Sequence, residues 1–246
     1  MKKIAIISDI HGNMQALNTV LEDIKKQEAD EIYCLGDYAM AGPEPFKAVS
    51  FFMEKSNEFK MIQGNTDEYI ANYSDAVYQH ISKNAPFMAN ALSCDANLLT
   101  YEQKEFLRNL PKQEELDVEG VRILLVHGSP RSNSENIFPD MKLEELEKII
   151  ESTSADLILC GHTHIPCGYQ TNTRQTVINT GSVGRPFTKP PKSCYLLLTL
   201  SNGGFTAEHR QLTYDIKTAS EILAKRNFEG AQKLAEMLSN PELRHI

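Results

Sequence analysis

The first third of the chain alternates between apolar runs with strand character and stretches with helical periodicity. Residues 4–7 are all apolar, as expected of a strand that is covered on both faces. Apolar residues then recur at helical spacing up to Ile24, and Asn13 is placed to cap this first helix. The pattern continues as a strand, a helix and a strand over residues 32–35, 45–54 and 59–62. Strands that alternate with helices predict an α/β fold with a largely parallel sheet.

The alternation stops near residue 66 and resumes after residue 110. Within this excursion, residues 101–110 are predicted to form a helix, because Thr100 and Gln103 have capping-box spacing. Strands joined as hairpins are predicted over 116–118 with 121–126, 168–170 with 176–179, and 194–200 with 205–212. A helix over 143–150 and a strand over 156–160 lie between the first two hairpins.

Neither an internal repeat nor a linker divides the sequence, and residues 215–238 have a helical pattern. We therefore expect residues 1–246 to form a single domain. It would carry a helical excursion at about 66–110 and a C-terminal helical tail from about residue 215.

Five short polar islands follow predicted strands. They are residues 8–12 (SDIHG), 36–37 (GD), 64–67 (GNTD), 126–128 (VHG) and 161–164 (GHTH). In parallel α/β sheets, ligand sites form beyond the carboxyl ends of the strands. The pattern therefore predicts that Asp9, Asp37 and Asn65, and with them all five islands, meet at one edge of one sheet.

The islands contain seven side chains of the types that bind divalent cations. They are Asp9, His11, Asp37, Asn65, His127, His162 and His164. The Asp37 carboxylate could bridge two ions, and the remaining residues divide naturally into two coordination spheres. Two ions about 3.5–4 Å apart can clamp a phosphoryl group and activate water. Mixed His, Asp and Asn ligands favour Mn, Fe, Ni or Zn over Ca or Mg.

Each island taken alone has an ordinary explanation as a cap or a turn. Cys160 and Cys167 flank the fifth island and raise the alternative of a zinc site. However, the sequence lacks a second cysteine pair to complete a structural zinc set. Cys160 falls in a predicted strand, where a buried apolar role is expected. The combination of five islands is what favours a two-metal centre.

Composition narrows the compartment and the partners. The 246 residues carry a formal net charge of −8, which argues against a general nucleic-acid binder but permits a small anionic substrate held through cations. The longest apolar runs fall short of the roughly 20 residues that span a bilayer. Five cysteines without framework spacing are typical of a reducing compartment. We therefore expect a cytoplasmic protein that binds no membrane.

The ordered motifs Asp-x-His, Gly-Asp, Gly-Asn, His-Gly and Gly-His-x-His resemble those of the calcineurin-like metallophosphoesterase superfamily. The chain is most similar to its small bacterial and archaeal phosphodiesterase branch. The resemblance covers residues 8–164 and extends through the loop at 179–184. It implies a four-layer α/β/β/α sandwich of two mixed sheets.

The resemblance also implies a division of the ligands between two ions. One ion would be held by Asp9, His11, Asp37 and His164, and the other by Asp37, Asn65, His127 and His162. A hydroxide that bridges the ions would attack phosphorus in line with the leaving group. Roles in catalysis are thereby implied for Asp9, Asp37, Asn65 and His127, with Asn65 also contacting substrate.

One position departs from the superfamily pattern. Many members have a histidine after the asparagine of the third motif, where it donates a proton or stabilises charge, but this chain has Thr66. A threonine hydroxyl is not a general acid near neutral pH. Phosphodiesters or phosphoanhydrides are therefore favoured over alkyl monoesters, unless Asp67, another side chain or water fills the role.

Two arginines are candidate substrate contacts because a guanidinium suits phosphate binding. Arg131 follows the fourth island, and Arg185 follows the glycine-rich loop at 181–184. For each of them, a surface or loop-bracing role is the alternative.

The resulting hypothesis is a dinuclear metal-dependent phosphodiesterase or phosphoanhydride hydrolase that acts on a small nucleotide-like substrate. The alternatives are a phosphomonoesterase of the same fold and a non-catalytic scaffold, since a retromer subunit uses this fold to bind proteins. A metal-responsive module that docks through the excursion or the tail is a further option. The oligomeric state is left open, with a homodimer as one option.

Overall fold

Residues 1–241 are described by a computed structural model, which contains two five-stranded sheets. The strands of the first sheet are β1 (Lys2–Ile7), β2 (Glu31–Cys34), β3 (Lys60–Met61), β9 (Ser193–Ser201) and β10 (Gly204–Leu212). Their spatial order is β10-β9-β1-β2-β3. The first three strands pair in parallel, whereas β9 and β10 are antiparallel to their neighbours. The sheet is therefore mixed.

The strands of the second sheet are β4 (Gln113–Val118), β5 (Val121–Val126), β6 (Leu157–Cys160), β7 (Cys167–Gln170) and β8 (Thr176–Asn179). Their spatial order is β4-β5-β6-β8-β7. The central strands β5, β6 and β8 are parallel, and each edge strand forms an antiparallel hairpin with its neighbour. The three hairpins that the sequence predicts are therefore confirmed.

The helices that flank the sheets begin and end close to the predicted positions. They are α1 (Met14–Lys26), α2 (Pro45–Glu54), α7 (Leu143–Ile150), α8 (Ile216–Ala224) and α9 (Ala231–Ser239). The side chain of Asn13 accepts a hydrogen bond from the Ala16 N–H and caps α1, as predicted. Up to residue 241, the tail contains two helices, α8 and α9, which pack against each other.

Alternation along β1 explains the layers, because successive side chains of a strand point to opposite faces. Ile4 and Ile6 join Leu125 of β5 in the apolar core between the two sheets. Ala5 and Ile7 face the other way, into the core beneath the helices. This burial on both faces accounts for the unbroken apolar run.

The second sheet repeats the arrangement on its own outer face. Leu124 and Ile158 pack against Leu146 and Ile150 of α7. The order from one side to the other is helices, sheet, sheet and helix. The expectation of a four-layer α/β/β/α sandwich of two mixed sheets is confirmed.

The excursion holds more helix than the sequence pattern indicates. Its helices are α3 (Asn65–Ala71), α4 (Asp75–Ser82), α5 (Pro86–Leu98) and α6 (Tyr101–Asn109). Only α6, with the capping box of Thr100 and Gln103, was predicted. α4 buries no residue, and much of the buried face of α5 is alanine, so neither produces a strong apolar stripe.

None of the helices within residues 1–241 is long and apolar enough to cross a bilayer.

Candidate metal centre

The five polar islands converge on one place, but they come from two sheets rather than one. The first three follow β1, β2 and β3 of the first sheet, and the last two follow β5 and β6 of the second. Hydrogen bonds join the sheets at this edge: the His162 N–H donates to Asp9 Oδ2 over 3.0 Å, and His127 Nδ1 lies 2.7 Å from the Leu35 carbonyl. The expectation of a single sheet edge is wrong. Spacing alone cannot show that the chain starts a second sheet after the excursion.

The backbone at this edge adopts an unusual conformation. Five of the seven predicted ligand residues have left-handed backbones, with φ between 47° and 67°. They are Asp9, His11, Asp37, His162 and His164. Non-glycine residues rarely adopt this conformation, and such strain persists where the surrounding structure imposes it, often at functional sites.

Two glycines of the islands are required by close packing. A Cβ atom at Gly64 would lie 2.1 Å from Asp37 Oδ1, and one at Gly161 would lie 2.5 Å from Asp9 Oδ2. Either contact would push a carboxylate out of its place. These glycines therefore let the two sheets bring the carboxylates close to the neighbouring loops.

Backbone carbonyls set the tautomers of three of the histidines. Nδ1 of His11 lies 2.8 Å from the Met40 carbonyl, and Nδ1 of His164 lies 2.8 Å from the Arg185 carbonyl. His127 makes the same contact with Leu35. A carbonyl can only accept, so each Nδ1 carries the proton and each neutral ring presents its Nε2 lone pair. This is the arrangement found in metal-binding imidazoles.

These lone pairs point at other acceptors, which is the clearest sign of a cation site. Nε2 of His11 lies 3.2 Å from Nε2 of His164, and Nε2 of His127 lies 3.0 Å from Asn65 Oδ1. Asp9 Oδ1 is buried without a hydrogen-bond partner among residues 1–241, and His164 Nε2 lies 3.2 Å from it. Acceptors that face one another in a buried site need a cation or protons between them. The donor set fits divalent transition metals.

The candidate ligands form two overlapping groups that share Asp9, and Asp37 lies between His11 of the first group and His127 of the second. Asp9, His11 and His164 form one group, and Asp9, Asp37 and His127 form the other, with all ligand atoms of a group within 4.8 Å of one another. Asp37 Oδ2 is 3.6 Å from His11 Nε2, and its Oδ1 is 3.5 Å from His127 Nε2. One carboxylate oxygen therefore faces each group.

The two carboxylates of the site stay ionised despite their burial. Burial disfavours ionisation of Asp9, yet His164 and His127 lower its pKa to about 2, and the pKa of Asp37 also lies well below its usual range. Burial lowers the pKa of His11 to about 3. Burial also opposes protonation of His127, but Asp37 and Asp9 raise its pKa to about 10. Without a metal, His127 therefore holds a second proton at Nε2 beside the two ionised carboxylates, and a bound metal ion would replace that proton.

Comparison with known protein families shows the family to which the chain belongs. The calcineurin-like phosphoesterase superfamily domain matches residues 1–203. The chain belongs to this superfamily. Members use divalent metals and act on phosphoester substrates, which agrees with the Asp and His clusters of this chain.

Relatives of this chain cover nearly its whole length. The uncharacterized protein MJ0912 of Methanocaldococcus jannaschii is 29% identical over 238 residues, 90% of this chain and 92% of that protein. The hypothetical protein PH1004 of Pyrococcus horikoshii OT3 has a similar structure, with a TM-score of 0.85 at 22% identity over 97% of this chain and 98% of that one. A metallophosphoesterase from Sphaerobacter thermophilus has a TM-score of 0.78 at 22% identity, over 96% and 98% of the two chains. These two structures support the fold.

Asp67 supports the candidate site without being among the predicted ligands. Its carboxylate accepts hydrogen bonds from the N–H groups of Asp37, Tyr38 and Gly64, at 2.7, 2.9 and 2.9 Å. It thus fixes the backbone that carries Asp37. The spacing from Gly64 to Asp67, typical of a capping box, was the available signal.

Asn179 plays a similar part for the fifth island. Its Nδ2 donates to the Gly161 carbonyl and, over 3.0 Å, to Thr163 Oγ1. Its Oδ1 accepts from the Gly181 N–H at 2.9 Å. It therefore connects the turn that carries His162 and His164 with the glycine-rich loop, and only the tertiary structure reveals this.

The two predicted arginines differ in their surroundings. Arg131 is exposed and forms an ion pair with Glu135, and its Nη1 donates to the Lys148 carbonyl. Arg185 is partly buried and interacts electrostatically with Asp37 and Asp9. Burial lowers its pKa to about 10, so it stays a cation at neutral pH. The substrate roles of both arginines stay predictions, and the geometry favours Arg185.

Proposed function

We propose that this chain is a dinuclear metal-dependent hydrolase of phosphodiesters or phosphoanhydrides, with a small nucleotide-like substrate. The observation that carries the proposal is the convergence of Nε2 lone pairs and the unpartnered Asp9 Oδ1 around Asp37. Superfamily membership supports phosphoester hydrolysis in general. We propose the dinuclear centre, the residue roles and the substrate class in addition to what superfamily membership supports.

The seven side chains would hold two ions, of Mn, Fe, Ni or Zn. Asp9, His11 and His164 would hold one, and Asn65, His127 and His162 the other, with Asp37 shared between them. Bound ions of this kind polarise phosphoryl oxygens and lower the pKa of water. The carbonyls of Met40, Arg185 and Leu35 keep the imidazole protons on Nδ1, away from the ions.

The overall reaction replaces one bond to phosphorus with another. A water oxygen forms the new P–O bond, the bond to the leaving oxygen breaks, and a water proton ends on the leaving group or in solvent. Asp9, Asp37, Asn65 and His127 are the residues to which we assign this chemistry, with Asn65 also at the substrate. Arg185 would neutralise part of the charge on phosphate.

Thr66 supports the preference for good leaving groups. Its Oγ1 is buried and has no hydrogen-bond partner in the described part of the chain, and its N–H donates to Asp37 Oδ1 over 2.9 Å. The neighbouring Asp67 carboxylate accepts hydrogen bonds from three backbone N–H groups. Expulsion of an alkoxide would therefore proceed without a side-chain acid at position 66.

The decisive experiment is reconstitution. Metal-free protein is loaded with Mn, Ni, Fe or Zn and assayed against aryl monoesters, aryl diesters, cyclic nucleotides and dinucleoside polyphosphates. We expect metal-dependent turnover of diesters or anhydrides. Asp37→Asn should lower it by more than the roughly 10–100-fold typical of residues that only orient a ligand. Asp140→Asn, which changes an exposed carboxylate, is the matched control.

A protein that binds metal tightly but turns over none of these substrates would instead support the scaffold or metal-responsive alternatives. A phosphomonoesterase would show its highest kcat/KM on the aryl monoester.

Thr66→Ser and Thr66→His separate the monoester and diester alternatives. The histidine should raise monoester turnover relative to diester turnover because it can donate a proton. The serine keeps the hydroxyl and is the control. Unchanged turnover of both substrate classes in Thr66→His would show that position 66 does not control leaving-group chemistry.

Partners and location follow as further proposals. We propose a small phosphoester substrate, no nucleic-acid or membrane partner and a cytoplasmic location, and the net charge of −8 supports the exclusion of nucleic acid. We also propose that residues 1–246 form a single domain.

A further inference from the structure

A cavity of about 410 Å³ opens beside the metal centre. It lies between the start of α5, the segment 185–187 and helix α9. Most of its wall is apolar, and Arg185 is the charged residue that lines it. The apolar side chains that line the cavity include Phe87, Met88, Phe187, Leu234 and Met237. The volume falls in the range of small-molecule sites, about 300–1,000 Å³.

The segment 185–187 is a wall shared by the cavity and the metal centre. The Phe187 ring packs on the ring of His164, with centroids 5.4 Å apart. The Arg185 carbonyl accepts from His164 Nδ1, and its guanidinium interacts electrostatically with Asp37 and Asp9. A ligand that spans this segment would therefore meet a cation first and an apolar wall next.

The opposite wall is held in place by contacts of its own. A Cβ atom at Gly230 would lie 2.5 Å from the Phe87 ring, so the ring lies directly on the glycine backbone. Arg185 Nη1 lies 3.6 Å from Met88 Sδ, which connects the two walls. Phe87 is nevertheless 37% exposed. The cavity therefore presents an aromatic face to solvent beside a cationic site.

We infer that this cavity takes an aromatic ring carried by the phosphoester substrate, while the phosphoryl group lies at the metal centre beside Arg185. The inference rests on the proposed function and narrows it to phosphoesters that bear a ring, such as a nucleobase or an aryl group. The apolar walls supply burial for the ring, and the guanidinium supplies a charge for the phosphate.

Two phosphonates test this without turnover. Methylphosphonate and phenylphosphonate share the metal-binding group and have no P–O–C bond to hydrolyse, so they differ only in the ring. Their affinities for the Mn-loaded protein are measured by titration calorimetry. Burial of the ring should make phenylphosphonate bind at least about tenfold more tightly.

Cavity variants locate the ring. Met237→Trp should reduce the preference for phenylphosphonate and leave the methylphosphonate affinity unchanged. Met53→Trp, the same change in a partly buried residue of α2, is the matched control and should keep the preference. Phe87→Ala removes an exposed part of the wall and should lower the preference even if Met237→Trp fails to fold.

Each outcome decides one of the two proposals. Equal affinities in the wild type, or a preference that Met237→Trp and Phe87→Ala both retain, would overturn the ring site. Turnover of phosphoesters without any ring preference would overturn the ring site alone. A cavity-dependent ring preference in a protein that hydrolyses no phosphoester would support the ring site and contradict the hydrolase proposal.

Discussion

Two buried clusters of charge in this protein are built in opposite ways. At the metal centre, Asp9 Oδ1 is buried without a hydrogen-bond partner among the described residues, and imidazole lone pairs face other acceptors. On the helical side, Asp95 accepts from the Ala41 N–H over 2.8 Å and pairs with Arg226. Arg226 also donates to the Gly42 carbonyl and lies over the Phe228 ring.

The donors and acceptors of the Asp95–Arg226 cluster are matched within the protein, whereas the candidate metal centre has acceptors without donors. Asp95 and Arg226 satisfy each other and fasten the loop at 41–42, next to the carbonyl that orients His11. The metal centre leaves its acceptors open to a cation. Burial and charge alone do not distinguish the clusters, whereas the balance of donors and acceptors does.

We expect the largest effect from a substitution that disrupts the ion pair of Asp95 and Arg226. Asp95→Ala leaves Arg226 buried without its carboxylate, so we expect the free energy of unfolding to fall by about 3–5 kcal/mol. Urea denaturation at neutral pH measures it. Asp140→Ala, at an exposed carboxylate, should change the value by less than about 0.5 kcal/mol.

The double variant Asp95→Leu/Arg226→Met removes both charges and should recover much of the lost stability. A loss in Asp95→Ala no larger than that of the exposed control would contradict the structural role of the pair.

Metal addition should act on the open cluster. Mn at 100 times its dissociation constant should stabilise the wild type by about 2.7 kcal/mol. Asp37→Asn should lose this gain because it removes a proposed shared ligand, while the Asp95→Leu/Arg226→Met variant should keep it. Melting with Mn and with chelator gives the comparison. An undiminished gain in Asp37→Asn would argue against metal binding at Asp37.

Substitution of each of the two arginines tests which of them acts in catalysis. Arg185→Ala should lower kcat/KM by about 10–100-fold, the loss expected for a hydrogen bond to a charged group. Arg131→Ala should have the smaller effect, because its guanidinium is paired with Glu135 outside the carboxylate cluster. Steady-state kinetics on one diester suffice. An equal or larger loss in Arg131→Ala would reverse this ranking.

The smallest effect concerns a third, partly exposed carboxylate. Hydrogen bonds from Arg210 hold the pKa of Asp23 below its usual value, and the Tyr195 hydroxyl donates to it as well. The charged form is thus favoured in the folded protein, so the stabilisation is present above the unfolded pKa of about 3.9 and is lost as pH falls below it.

Asp23→Asn should therefore lower the free energy of unfolding by about 1 kcal/mol at pH 7. The difference from the wild type should shrink below about pH 4. Urea denaturation across pH provides the measurement, and a difference that grows on acidification would have the wrong sign.

The helices and strands that could be predicted are those whose buried residues form an apolar run or recur at a regular spacing in the sequence. β1 is buried on both faces and reads as an apolar run, and α7 has a clear apolar stripe. α4 and α5 were missed because one buries no residue and the other packs largely through alanine. β3 has only two residues, Lys60 and Met61, against the four predicted, because its ladder with β2 is that short.

The sequence predicts which residue types form the site, but it does not predict how the fold brings them together. The motifs indicate which side chains carry the chemistry because residue type and order are local properties of the chain. The placement of the fourth and fifth islands on a second sheet depends on long-range strand pairing, which spacing does not encode. The supporting roles of Asp67 and Asn179 depend on backbone groups that only the fold brings near them.

Residue types and their order predict the donor groups of the candidate metal centre, the α/β character and, through the motifs, the superfamily. Only the fold shows which acceptors face one another, which of Arg131 and Arg185 lies beside the carboxylates, and that a cavity adjoins the site. The physical reason is distance: strand and helix periods and ligand types are encoded over a few residues. The geometry of the centre arises from residues far apart in the chain, such as His11 and His164, which are separated by 153 positions.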